Sequence, residues 1–116
     1  MEENIKLYNL ENLISMIGAD KVALQEFVKL FLETSAETMD ELNSSFDSKD
    51  YGQVGAMAHK LKSSIDLMGI ESLKTDIRTI ERIGKDQDDI ESLNDLIPKL
   101  SSTLKQVYIQ MEHELD

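Results

Sequence analysis

The sequence predicts an all-α protein: an antiparallel, up-down-up-down four-helix bundle with a short extra helix at its N-terminal end. Three observations predict it. Apolar residues recur every three or four positions in each segment long enough to judge. The chain has one proline and 5% aromatic residues, a composition that favours helices over a β-sandwich. The segments between periodic stretches are short, which places successive helices antiparallel. At 116 residues the chain has the size of one ordinary domain. Residues 1–116 are therefore expected to form a single domain without internal repeat, linker or low-complexity tract.

The elements follow in order. A short first helix is expected over Leu10–Ile17, with Asn9 as N-cap and Gly18 just past its end. Asp20 can cap a long second helix over Lys21–Phe46. Its apolar positions Leu24, Phe27, Val28, Phe31, Leu32, Met39, Leu42 and Phe46 are spaced by three and four, apart from a gap across Thr34–Thr38. After the turn Asp47-Ser48-Lys49-Asp50, the pair Asp50 and Gln53 approximates a capping box. The third helix, Tyr51–Met68, is expected to bury Val54, Ala58, Leu61, Ile65 and Met68, with Met57 at the edge and Gly69 closing it. A fourth, Ser72–Ile83, carries Leu73, Ile77, Ile80 and Ile83 on one stripe and should end at Gly84. Lys85–Asp89 reads as a polar loop. The last helix, Ile90–Glu114, has the stripe Leu93, Leu96, Ile97, Leu100, Leu104, Val107, Tyr108 and Met111, with Pro98 expected to kink or break it.

Composition narrows the function. Twelve Lys and Arg stand against 23 Asp and Glu, a formal net charge of −11. This argues against nucleic acid, whose phosphates need a basic footprint, and against an anionic membrane surface. Without cysteine there is neither a disulfide nor a thiolate metal site. No run approaches the roughly 18 apolar residues of a membrane span, and Met1-Glu2-Glu3-Asn4 lacks the marks of a signal peptide. The cytoplasm is the expected compartment.

The third helix raises a separate question. His59 follows the core residue Ala58, which sets it roughly 100° around the helix, at the border or on the solvent side. Its neighbours one and two turns away are Gly52, Gly55, Ala56, Lys62, Ser63 and Asp66. A glycine inside a helix costs on the order of 0.5–1 kcal/mol relative to alanine. A cleared rim around an imidazole would let another protein bring its own active site close. The imidazole is a nucleophile near neutral pH, and Lys62, one turn on, can pair with phosphoryl oxygens. Spacing and chemistry alone leave two readings open: a solvated helix face, or a site of phosphoryl transfer.

The stretch Ala58-His59-Lys60-Leu61-Lys62-Ser63-Ser64, followed by Gly69, resembles the signature of histidine-containing phosphotransfer (HPt) domains. That signature reads H-x-L-K-G-[SA], with a glycine ten residues past the histidine. The segment from Phe27 to Thr34, the approach from Asp50-Tyr51 and the helix Leu73–Ile83 are similar to the corresponding parts of the family. The resemblance implies a four-helix bundle acting as a relay in two-component signalling. It implies that His59 accepts a phosphoryl group, through Nε2, from a receiver-domain aspartate and passes it to another. It makes Lys62 the phosphoryl-stabilising residue, and implies as partners response-regulator receiver domains and the receiver of a hybrid histidine kinase. The Mg²⁺ and the acidic pocket would belong to the receiver, with no cofactor on this chain and the chain a monomer. Ser63 departs from the pattern, standing where glycine is usual. The docking rim is expected to comprise Gly52, Gly55, Ala56, Ser63 and Asp66, with part of the second helix beside it.

Several other readings are weaker. No glycine-rich nucleotide loop occurs, so the chain is expected to be a carrier that neither binds ATP nor phosphorylates itself. His113, flanked by acids near the chain end, suits a helix C-terminus. No Glu-x-x-His pair suggests a metal site, and Asp86-Gln87-Asp88-Asp89 lacks the glycine and terminal glutamate of a calcium loop. The rival function is a pseudo-HPt regulator that docks receivers without phosphoryl transfer.

Overall fold

The structure is a computed structural model that describes residues 5–115. Met1–Asn4, on which the expectation of no signal peptide rests, lie outside the described residues. Among those described there are five α-helices, one 3-10 turn and no strand. The helices are α1 (Glu11–Ile17), α2 (Lys21–Asp47), α3 (Tyr51–Leu67), α4 (Glu71–Asp86) and α5 (Leu93–Leu115), with the 3-10 turn at Ile90–Ser92. Four of them close a ring: α3 packs on α2 and α4, and α5 packs on α4 and α2, while α1 lies against α2.

Helix starts follow the capping chemistry. The Asp20 carboxylate accepts a hydrogen bond from the Ala23 N–H at 2.9 Å, and the Asp50 carboxylate accepts one from the Gln53 N–H at 3.2 Å. Each satisfies a donor that the first turn leaves without a partner. At α1 the N-cap position falls on Leu10, which has no side-chain cap, and Asn9, the expected cap, stands one residue earlier with its Oδ1 accepting from the Glu11 N–H at 2.8 Å. At the end of α3, Gly69 takes φ +60°, and the Ile70 N–H donates back to the Ile65 carbonyl at 3.1 Å, a Schellman closure. A side chain at Gly69 would also meet the Asn9 backbone at 2.6 Å.

The expected stripes face the core. Val54, Ala58, Leu61, Ile65 and Met68 are buried, as are Leu73, Ile77, Ile80 and Ile83. Each such Leu or Ile contributes roughly 1.5–3 kcal/mol relative to exposure. The gap in the α2 stripe has a structural occupant. Ser35 is buried, donates to the Phe31 carbonyl at 2.6 Å and shares a hydrogen bond with the Tyr108 hydroxyl at 2.7 Å. Burial raises the pKa of that phenol.

Two helix boundaries differ from expectation by three residues, and the others by no more than one. α4 does not stop at Gly84 but continues to Asp86, where Gln87 adopts the left-handed conformation at φ +55°. The final helix begins at Leu93, because Ile90–Ser92 wind as a 3-10 turn. Pro98 lies inside α5, and the helix runs on through it. Pro98 and Asn94, whose carbonyl the missing N–H cannot reach, are both exposed, so water can serve that carbonyl.

Residues 5–9, unassigned by periodicity, strap the N-terminal segment across the bundle. The Gln110 side-chain amide donates to the Ile5 carbonyl at 2.7 Å and accepts from the Leu7 N–H at 2.8 Å. The buried Tyr8 hydroxyl donates to the Glu114 carboxylate, and the Asn9 N–H donates to the Met68 carbonyl at 2.9 Å. Burial, reinforced by Glu114, pushes the Tyr8 phenol well above its ordinary value.

Gly84 is inside a helix because it is where α3 and α4 touch. A Cβ on Gly84 would lie 2.5 Å from the Gly55 nitrogen and 2.7 Å from the Tyr51 carbonyl oxygen. A Cβ on Gly55 would lie 3.1–3.3 Å from the backbone of Glu81, Gly84 and Lys85. Gly52, by contrast, has only the Asp50 carboxylate near its Cβ position, at 3.9 Å. Gly84→Ala is thus expected to destabilise the protein by about 1–3 kcal/mol through overpacking against backbone. Gly52→Ala is expected to stabilise it by roughly 0.5–1 kcal/mol. Urea unfolding of the two variants checks both signs; equal effects would refute the distinction.

Candidate functional site

One turn beyond the glycine contact, α3 presents His59 with its side chain 67% exposed. The ring is bonded on one side. Its Nδ1 lies 2.6 Å from Glu81 Oε2 on α4, and the other oxygen, Oε1, accepts from the Lys62 ammonium at 2.8 Å. Glu81 and Lys62 are half-buried, at 22% and 27% exposure. A single carboxylate therefore bridges the two residues that the sequence singles out.

The register explains why Glu81 reaches them. His59 stands four residues after Gly55, and Glu81 three residues before Gly84. With the backbones in contact at the glycines, the side chains one turn away are within hydrogen-bonding distance. Lys62 depresses the Glu81 carboxyl below the usual carboxylate range; partial burial opposes this and the His59 bond adds to it. Glu81 is therefore ionised at neutral pH and can only accept, so Nδ1 carries the proton. The neutral ring then has its lone pair on Nε2. Among the described residues, none hydrogen-bonds to Nε2.

The residues expected at the rim separate. Gly52, Ala56 and Ser63 are exposed. Asp66 is held by Arg78 in a bidentate pair at 2.6 and 3.1 Å. Gly55 is a correction: it is buried against α4, and its lack of a side chain serves helix contact rather than partner access. On the α2 side, an open cleft of about 190 Å³ is lined by Phe27, Leu30, Thr34, Ser63, Ser64 and Leu67, among others. Leu30 is 54% exposed there.

Glu81 escaped the sequence reading. Its one signal was position: it neighbours Ile77 and Gly84 on the helix surface, at the border of the buried stripe. Among the described residues, no three side chains of His, Asp or Glu converge as a metal site. Nor is any helix there long and apolar enough to cross a membrane.

Comparison with known families now adds its finding. The model of the Hpt domain matches residues 26–114, and the chain belongs to that family. No curated protein and no solved structure matches it. Membership places the protein in two-component phosphorelay signalling, with receiver domains of response regulators as the interacting class. The matched segment begins within α2, so α1 and the strap lie outside it.

Because its carboxyl is held low, Glu81 contributes stability above the ordinary carboxylate value of about 4.3, and that contribution is lost as pH falls through the depressed value. The stability difference between wild type and Glu81→Gln should be full at neutral pH and vanish in strong acid. Urea unfolding across pH measures it; a difference independent of pH would contradict the assignment.

Proposed function

We propose that this protein is a phosphorelay intermediate that accepts a phosphoryl group on His59 Nε2 from a receiver-domain aspartate and passes it to another. The observation that carries the reading is the Glu81 bond at Nδ1 of a largely exposed ring, which leaves Nε2 as the nitrogen with the lone pair. In the forward step the P–O bond of the aspartyl phosphate breaks and a P–N bond forms at Nε2. The ring becomes a phosphoimidazolium whose Nδ1 proton stays against Glu81. The return step reverses these changes, releasing the neutral ring. Such transfer depends on positioning and charge neutralisation. The receiver provides the aspartate and Mg²⁺. Lys62 provides the local cation, and it must share itself between Glu81 and the phosphoryl oxygens.

The receiver docks over the exposed side of α3 (Gly52, Ala56, Ser63) and the apolar cleft toward α2, since one helix is too narrow for a standard interface. The helices of the ring run up-down-up-down, which brings α2 and α4 to either side of His59. The partners are response-regulator receivers and the receiver of a hybrid kinase. The chain acts as a cytoplasmic monomer that carries phosphate without an ATP site of its own.

Incubation with a phosphorylated receiver domain, or with phosphoramidate, tests this by intact mass. The expected product is a single acid-labile, base-stable adduct that is absent from His59→Gln. A folded chain that binds receivers but forms no adduct would instead make it a pseudo-HPt regulator. Ser63→Trp should stay folded and slow receiver transfer by about tenfold or more, while phosphoramidate loading stays near normal. Lys62→Ala should slow transfer or shorten the phosphohistidine lifetime with helix content unchanged by circular dichroism. A normal rate in both variants would remove Ser63 and Lys62 from the site.

A further inference from the structure

Glu81 divides one carboxylate between two groups with different parts in the reaction. Oε2 holds the ring nitrogen opposite the reactive one, and Oε1 holds the only cation bonded to the site among the described residues. We infer that Glu81 sets the lifetime of the phosphohistidine, keeping the phosphorylated ring in its transferable form and holding Lys62 partly away from the phosphoryl oxygens. The inference deepens the relay reading and rests on it.

The chemistry is that of a leaving group. When the P–N bond breaks, its electron pair goes to Nε2. With a proton on Nδ1 the departing group is neutral imidazole; without one it is imidazolate, a far poorer leaving group. A carboxylate at 2.6 Å from Nδ1 favours the protonated ring through a charge-assisted bond. In hydrolysis the phosphoryl group passes to a water oxygen and the water proton goes to solvent. In transfer it passes to a receiver aspartate oxygen.

Lys62 adds to the same direction. A phosphoryl group brings up to about two negative charges. Lys62, already bonded to Glu81 at 2.8 Å, neutralises less of that charge than an unengaged ammonium would. Both bonds therefore make the adduct shorter-lived and readier to move on.

The other charges near the site are accounted for. On α4, Arg78 lies within the field of Glu81, but Asp66 holds it in two bonds. On α3, Lys60 is exposed, as is Lys85 on α4. Among the described residues no charged group of α2 or α5 hydrogen-bonds or ion-pairs with His59, Lys62 or Glu81.

The test loads the full chain with phosphoramidate and follows the adduct by ³¹P NMR from acid to alkaline pH. Wild type is compared with Glu81→Gln, which keeps the shape and removes the charge. The expected result is a phosphohistidine roughly three- to tenfold longer-lived at neutral pH, with the acid limb of its breakdown moved to lower pH. Glu81→Ala, which places no amide against Lys62, is expected to shift the limb in the same sense. A residue with only a structural role would change melting but leave this pH profile in place. Superimposable profiles, or a shorter lifetime in both variants, overturn the inference while the relay reading stands. A wild-type chain that takes up no phosphoryl group overturns the relay reading and the inference with it.

Discussion

The site depends on the contact between Gly55 and Gly84. Helix axes ordinarily lie 8–10 Å apart, at a distance set by the side chains between them. Here two glycines remove those side chains, and backbone meets backbone. The two helices flanking this point are then close enough for a glutamate on one to reach a histidine and a lysine on the other. The conformational cost of two helical glycines, roughly 0.5–1 kcal/mol each, is offset by the packing they permit. Burial of the Ile77, Ile80 and Ile83 stripe against Ala58, Leu61 and Ile65 holds the pair of helices in this register.

The charged trio makes little sense as a stabilising device. Ion pairs at a protein surface contribute about 0–1 kcal/mol, and Glu81 gives up hydration to be half-buried. A leucine at that position would extend the apolar stripe. What the trio does accomplish is orientation: a ring that is exposed yet held at Nδ1 presents Nε2 away from that bond, and its neutral form takes a single tautomer. A freely rotating surface histidine would spend part of its time with either nitrogen outward. Fixing it removes an entropic and tautomeric cost from any reaction at Nε2.

Much of this was legible in the sequence, and the illegible part has one physical origin. Periodicity reveals which face of a helix is buried, so Val54, Ala58, Leu61 and Ile65 were readable, as were the caps Asp20 and Asp50 and the αL glycine Gly69. Periodicity does not reveal which helix lies against a face or how closely. Gly84 accordingly read as a helix stop, Gly55 as part of a docking rim, and Glu81 as one acid among 23. All three belong to the same interhelical contact. Ser35 is a milder case: a polar residue fills a gap in an apolar stripe because its partner, Tyr108, comes from a helix distant in sequence.

The charge distribution bears on how such a site could receive an anion in an acidic protein. Residues 51–86, which comprise α3, α4 and the turn between them, carry six Lys and Arg against five Asp and Glu, a net of +1. The rest of the chain then holds −12 of the total −11. At physiological ionic strength, exposed charges beyond about 8 Å are largely screened, so an approaching phosphoryl group responds to this near-neutral pair of helices rather than to the whole molecule. The acidic remainder still matters for association, because it disfavours anionic surfaces that approach from elsewhere. An anionic partner that docked over α3 and α4 would therefore meet less repulsion than one that met the remainder of the chain.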